Sequence, residues 1–270
     1  MRRWAGRHEV TLYLALGYII SWSIWPLALL NPDSSPLVPF GPGLAAVIVA
    51  SVAGGRRQLW GLLRQLGRWR VSPGWYGVAV GIPLCVAAAA FGAAVLAGAQ
   101  IPRWESSDLL QVAGNLVITI VIVGVFEELG WRGFLLPRLQ RTQTALVAAL
   151  LVGLVWLPWH LPELVSDRGE RPLTQFMLFI MASSVILTWV YNSTRASLPI
   201  VILFHAAFNS FTKFFLSQLQ GNHQVIAWWT LAGLVAFLAV AVVAYAGSHN
   251  LAKTHTRATY EQPETRTAHT

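Results

Sequence analysis

Charge is scarce in this chain: of 270 residues only 11% are Asp, Glu, Lys or Arg, while 55% are hydrophobic and the mean hydropathy is +0.55. That shortage excludes an ordinary soluble globular protein, whose surface needs about a quarter of its residues charged. Cysteine is nearly absent as well. The single Cys85 lies in an apolar segment, so there is no intramolecular disulfide and no cysteine-based metal site. No internal repeat, low-complexity tract or long polar domain interrupts the hydrophobic runs. The net charge of +8 does not point to nucleic acid, because the basic residues are scattered between those runs instead of covering one face of a soluble domain.

What is present is a series of apolar stretches near the length of about 20 residues that a helix needs to cross about 30 Å of hydrocarbon. Eight can be marked: Val10–Leu30, Phe40–Ala53, Trp75–Ala97, Leu109–Leu136, Ala145–Val165, Thr174–Tyr191, Leu198–Leu216 and Val225–Ala246. The expected fold is therefore all-α, a polytopic membrane protein. The second run is short and leads into GGRRQLWGLLRQLGRWRVSPGW, whose Trp60, Leu63 and Leu66 against Arg64 and Arg68 predict an amphipathic helix in the interface. Met1–Arg7 with the run behind it imitates a signal peptide. The run is too long for one and lacks a small-residue cleavage site, so it reads as a retained first helix.

Four units are expected: residues 1–108, the first three spans with an interfacial segment at 55–71; 109–216, the motif-bearing core; 217–247, the last helix; and 248–270, a polar, disordered tail. Eight crossings put both termini on one side. That side collects Arg2, Arg3, Arg7, Arg56, Arg57, Arg64, Arg68, Arg70, Arg138, Arg141, Arg195, Lys253, Arg257 and Arg266; opposite stand Arg103, Arg168 and Arg171. The positive-inside rule then places both termini in the cytoplasm. Lys213 is near enough to a helix end to snorkel; Arg132 is not.

The stretch VIVGVFEELGWRGFLLPRL carries Glu127, Glu128 and Arg132 inside otherwise apolar sequence. A charged side chain at mid-bilayer costs about 2.5–3.5 kcal/mol on insertion scales, so these three need a polar interior. Glu128 and Arg132 are four residues apart on one face, in the favourable order for an ion pair. Glu127 points about 100° round the helix and has no partner nearby in sequence. Further on, His160 is bracketed by Pro158 and Pro162, which predicts a kinked, partly unwound backbone. His205 and Asn209 share a face of an apolar helix.

At about 1.5 Å per residue, Glu127 falls about 13 Å from Leu136, His205 about 10 Å and Asn209 about 16 Å from Leu198, and His160 about 22 Å from Ala145. Those levels overlap. Carboxylate and imidazole together can deprotonate a water, and His and Asn donors can steady an oxyanion, which are the parts needed for hydrolysis.

EExxxR (Glu127, Glu128, Arg132), an aromatic followed at four residues by His (Trp156, His160) and HxxxN (His205, Asn209), in that order on successive apolar helices, resemble the three motifs of the CPBP family. These are the CAAX proteases and bacteriocin-processing enzymes, also called Abi intramembrane proteases. The likeness covers roughly residues 116–212 and includes the context RASLPIVILFHAAFNS. Trp156 stands where that family usually has Phe, a change expected to bear on substrate fit and not on chemistry. The resemblance implies eight helices around a conical intramembrane polar cavity, in a multi-pass protein of a bacterial plasma membrane that hydrolyses a peptide bond of a membrane-associated or lipidated protein or peptide.

By motif position Glu127 would be the general base, with His160 on the nucleophilic water. His205 and Asn209 would hold the oxyanion, and Glu128 and Arg132 would support them. Glu127, His160, His205 and Asn209 would also offer three or four ligands to a divalent metal such as zinc, but there is no HExxH and the ligands come from separate helices. Metal-free activation of water, with no cofactor required, is the favoured reading. Two other classes stay open: an ion- or proton-coupled transporter, which usually shows internal repeats, and a non-catalytic membrane scaffold.

Overall fold

The computed structural model describes residues 6, 8–31, 35–166 and 172–253. Arg2, Arg3, Arg7, Arg168, Arg171, Arg257 and Arg266 lie outside the described residues. The chain is an all-α polytopic membrane protein, and all eight expected runs lie on helices. They are α1 (Glu9–Trp22) continued by α2 (Trp25–Leu30), α3 (Gly41–Leu63), α4 (Gly74–Leu96), the motif helix (Ser106–Leu139), α8 (Ala145–Trp159) with α9 (Leu161–Ser166), α10 (Leu173–Ser193), α11 (Leu198–Leu216) and α12 (Gly221–Ala246). The motif helix is composite: α5 (Ser106–Ile118), a π-helical stretch (Thr119–Gly124), α6 (Val125–Glu128), a second π-helical stretch (Leu129–Leu135) and α7 (Leu136–Leu139).

Six of the eight are long and apolar enough to span a membrane on their own: Glu9–Leu30, Gly74–Leu96, Ser106–Leu139, Leu173–Ser193, Leu198–Leu216 and Gly221–Ala246. The other two depart for local reasons. Helix α8 has 15 residues, about 22 Å of rise, because Pro158 ends its hydrogen-bond ladder. Helix α3 is bent at Gly55, whose φ of 65° and ψ of −160° only glycine adopts without strain. Beyond that bend the Arg-rich segment continues as helix to Leu63 and closes in a 3-10 turn, Arg64–Gly67. The Arg-rich stretch is thus a short helical segment set off from the membrane helix by the non-helical Gly55. It buries Leu62 and Gln65 while Trp60 stays exposed.

Helix α11 lies at the centre, packed along α4 and against the motif helix; α1 runs along α3, and α10 joins α8 to α12. The second π-helical stretch packs on α3 so closely that a Cβ at Gly130 would fall 2.5 Å from Pro42. Small residues at such crossings let helix backbones approach where lipid supplies no hydrophobic drive.

Contacts between remote segments fix the ends of the bundle. Arg138 Nε donates to Glu9 Oε2 at 2.6 Å, and Arg68 Nη1 donates to the Arg195 carbonyl at 2.7 Å, so the basic connections share one end. At the other end Trp104 stacks on Phe214, and the His223 ring lies 3.3 Å from the Ala97 carbonyl. The expectation of disorder from residue 248 is corrected for 248–253. The Ser248 and His249 carbonyls accept the N–H groups of Leu146 and Ala145 at 3.0 and 2.9 Å, satisfying first-turn donors of α8, and Leu251 is buried. Residues 254–270 lie outside the described residues.

Candidate active site

Glu127 and Glu128 sit on the single α-helical turn between the two π-helical stretches. A π segment widens the helix and is found frequently at functional sites, because it re-aims side chains relative to a regular 3.6-residue turn. Both carboxylates are buried, Glu127 at 3% exposure and Glu128 at 0%, and Arg132 is also at 0%.

The expected i, i+4 pair forms: Arg132 Nη1 donates to Glu128 Oε1 at 2.9 Å. The same oxygen lies 2.7 Å from His205 Nδ1, 77 positions away in the chain. A carboxylate can only accept, so the imidazole presents Nδ1–H to it and turns Nε2 away.

Glu127, which lacked a partner in the linear reading, has one on α8: the Trp156 indole N–H donates to its Oε2 at 3.0 Å. The role expected for Trp156, substrate fit alone, is therefore corrected. Its N–H holds the carboxylate, a contact Phe cannot make, and its ring carries the Arg132 guanidinium 4.6 Å from its centroid. Its centroid is also 5.6 Å from the His205 ring and 5.9 Å from the His160 ring, so this one side chain joins both imidazoles to the carboxylates.

His160 stands at the break between α8 and α9 with φ −79° and ψ 2°, the interruption its flanking prolines predict. Its Nδ1 is 2.7 Å from Glu163 Oε2, a residue the linear reading passed over. The HLPE spacing was the available signal, since i and i+3 share a face of a helical turn. His160 Nε2 is buried with no hydrogen-bond partner among the described residues, and Trp156, which holds Glu127, meets both imidazole rings.

Asn209 is the outlier. It lies one turn beyond His205 on α11 as expected, but it is exposed between buried Phe208 and Ser210. Five of the six candidate residues thus gather around Trp156, and Asn209 is not among them. Among the described residues no group of three His, Cys, Asp or Glu side chains converges closely enough to hold a metal ion. Glu128 binds His205, and Glu163 binds His160, in place of such a convergence.

Fold and site together define an all-α, multi-pass membrane protein with a buried Glu, His and Arg cluster drawn from three helices. Residues 109–211 match the family described as type II CAAX prenyl endopeptidase, Rce1-like. CAAX prenyl protease 2 of Methanococcus maripaludis is 29% identical over 124 residues, which take in 42% of this chain and 46% of that protein. The chain thus matches slightly under half the length of this curated relative. The likeness to that family thus lies on residues 109–211, the segment that contains all three motifs.

Proposed function

We propose that the chain is an intramembrane endopeptidase that hydrolyses a peptide bond of a membrane-associated or lipidated protein or peptide. The observation that carries this reading is Glu127, a buried carboxylate held by Trp156 beside two imidazoles, each tethered at Nδ1 by its own glutamate, inside an Rce1-like segment. A structural ion pair accounts for Glu128 and Arg132. It gives no reason for a second buried carboxylate or for an imidazole nitrogen left unpaired in a membrane.

In this mechanism a water sits between Glu127 and His160 Nε2. Glu127 removes its proton as the water oxygen bonds to the carbonyl carbon. The oxyanion is held by His205, donating from Nε2 as an imidazolium steadied by Glu128, and by the Asn209 amide. Collapse breaks the C–N bond, and Glu127 returns its proton to the departing amine. Arg132 holds the Glu128 carboxylate in place through their ion pair. The chemistry is written with no metal and no cofactor, a reading supported by the lack of any three converging His, Cys, Asp or Glu side chains among the described residues. The partners are the substrate polypeptide and the bilayer, not nucleic acid. Both termini are assigned to the cytoplasmic side of a bacterial plasma membrane.

The test is quantitative membrane proteomics of cells carrying the wild-type chain or Glu127→Gln. A cleavage product present with the first and missing with the second supports the reading; identical peptide patterns oppose it. Metal content of the purified protein tests the cofactor assignment. Asn209→Asp is expected to purify folded, without stoichiometric metal and with activity lowered by about 10²–10³-fold for one lost oxyanion donor. A metal-replete and active Asn209→Asp protein would favour the metal-dependent alternative.

A further inference from the structure

Helix α8 carries Trp156, which holds Glu127, and leads straight into His160, yet its last turn is the weakest part of its ladder. Pro158 has no N–H to give to the carbonyl four residues back. Trp159 closes the helix, so its own carbonyl is among those a helix end leaves without an intrahelical donor. The earlier turns are anchored from elsewhere: the Ser248 and His249 carbonyls accept from the first turn, and Ser184 Oγ of α10 donates to the Ala149 carbonyl at 2.7 Å.

The last turn is met by α1, 137 positions away in the chain. The Tyr18 hydroxyl donates to the Val155 carbonyl, and the Trp22 indole N–H donates to the Trp159 carbonyl at 3.0 Å. Donors and acceptors are each four residues apart, so the bonds form two rungs about 6 Å apart between helices that run in the same direction. One bond would fix a distance. Two rungs a turn apart fix the axial position of α8 against α1 and stop it from rotating. Helix α1 packs along α3 rather than along α8, so the rungs are two long aromatic side chains reaching across and not part of a broad helix interface. Their rings brace one another, with centroids 5.0 Å apart.

Trp156 lies between the two bonded carbonyls, and His160 directly follows the second. Backbone groups freed by proline in a membrane helix are satisfied again by neighbouring side chains, and here those neighbours come from outside the segment that carries the three motifs. We infer that Tyr18 and Trp22 are positioning residues for the site: by holding the Val155 and Trp159 carbonyls they set the height and rotation of the turn that presents Trp156 to Glu127 and His160 to the reacting water. What the turn is positioned for rests on the hydrolytic reading above; that α1 positions it does not. A displacement of about 1 Å near a reacting centre can cost about 10²-fold in rate.

The test uses the full chain in detergent with Tyr18→Phe, which removes one hydroxyl and keeps the ring, with Trp22→Phe, and with both together. Isotope-labelled histidine rings are followed by NMR, and the His160, His205 and His223 signals are assigned from single His→Gln variants. The rings of Trp159, Phe176 and Trp156 stand with centroids 4.8, 5.4 and 5.9 Å from that of His160, so their ring currents make its signal sensitive to small movements. In the double variant the His160 signal should move most. His205, which meets α8 through Trp156, should move less, and His223, at the start of α12, should stay. An unmoved His160 signal overturns the proposal, and so does equal movement of all three, which is what a general loosening of the fold would give. Tyr18→Phe alone decides the matter if Trp22→Phe does not accumulate. Product yield in the proteomic comparison should fall by about 10²-fold in the double variant; a yield equal to that of the wild-type chain also overturns the proposal. If the wild-type chain gives no product at all, the hydrolytic reading fails and the NMR result still decides whether α1 positions the turn.

Discussion

His160 and His205 make the same contact in opposite surroundings. Each places Nδ1 2.7 Å from a glutamate oxygen. For His205 the partner is Glu128, fully buried, on another helix and shared with Arg132; for His160 it is Glu163, three residues on, with 41% of its side chain exposed. A buried carboxylate oxygen shared with an arginine fixes its imidazole in one orientation, which suits a group that stabilises charge. A half-solvated carboxylate on the six-residue α9 leaves its imidazole room to exchange protons. Identical pair chemistry is thus divided into a rigid half and a responsive half, and Trp156, which holds Glu127, meets both imidazoles.

The strongest test of that division is Glu127→Gln, which keeps the volume and an acceptor for the Trp156 N–H but removes the base. Proteolysis should fall by about 10²–10⁴-fold with the thermal midpoint near wild type. Substantial residual cleavage would transfer the base role to the His160–Glu163 pair and erase the contrast.

Arg132→Ala probes the rigid half. It strands Glu128 without its guanidinium and removes the cation from beneath Trp156, so unfolding in detergent should show a loss of about 3–5 kcal/mol. An unchanged midpoint would mean that Glu128 is not held as a charge.

Glu163→Gln probes the responsive half. Stability should hold within about 0.5 kcal/mol, as for other partly solvated positions. Turnover should drop about tenfold through loss of one solvent-screened charged hydrogen bond to His160. Equal stability losses in Arg132→Ala and Glu163→Gln would show that the two pairs are equivalent after all. Smallest is Trp156→Phe, which deletes one donor to Glu127 and leaves the ring under Arg132. The expected cost is about 1 kcal/mol, or about fivefold in kcat/KM, with less loss of folding stability than for Arg132→Ala.

Much of this contrast was legible in the linear chain, though unevenly. Hydropathy located every helix, because burial in lipid demands about 20 apolar residues wherever a helix crosses. The Glu128–Arg132 pair was readable because i and i+4 meet within any helix. The Trp156–Glu127 bond was not: helix periodicity says which face a residue occupies but not which helix faces it. The π-helical stretches on either side of the carboxylates, packed on Ile202 at Gly124 and on Pro42 at Gly130, were not readable along one chain either. Glu163 was within reach of a local reading and was hidden by its place at the edge of an apolar run.

The sequence by itself determined an all-α membrane protein, the set of polar residues that cannot be left in lipid, and the end of the bundle that carries the arginines, since each of these depends on composition and spacing along one chain. Only the tertiary structure decided that Glu128 partners His205 and that Trp156 joins the two imidazoles to the carboxylates. Those facts depend on how helices cross, and crossing is set by close contacts such as Gly130 on Pro42 between residues far apart in the chain.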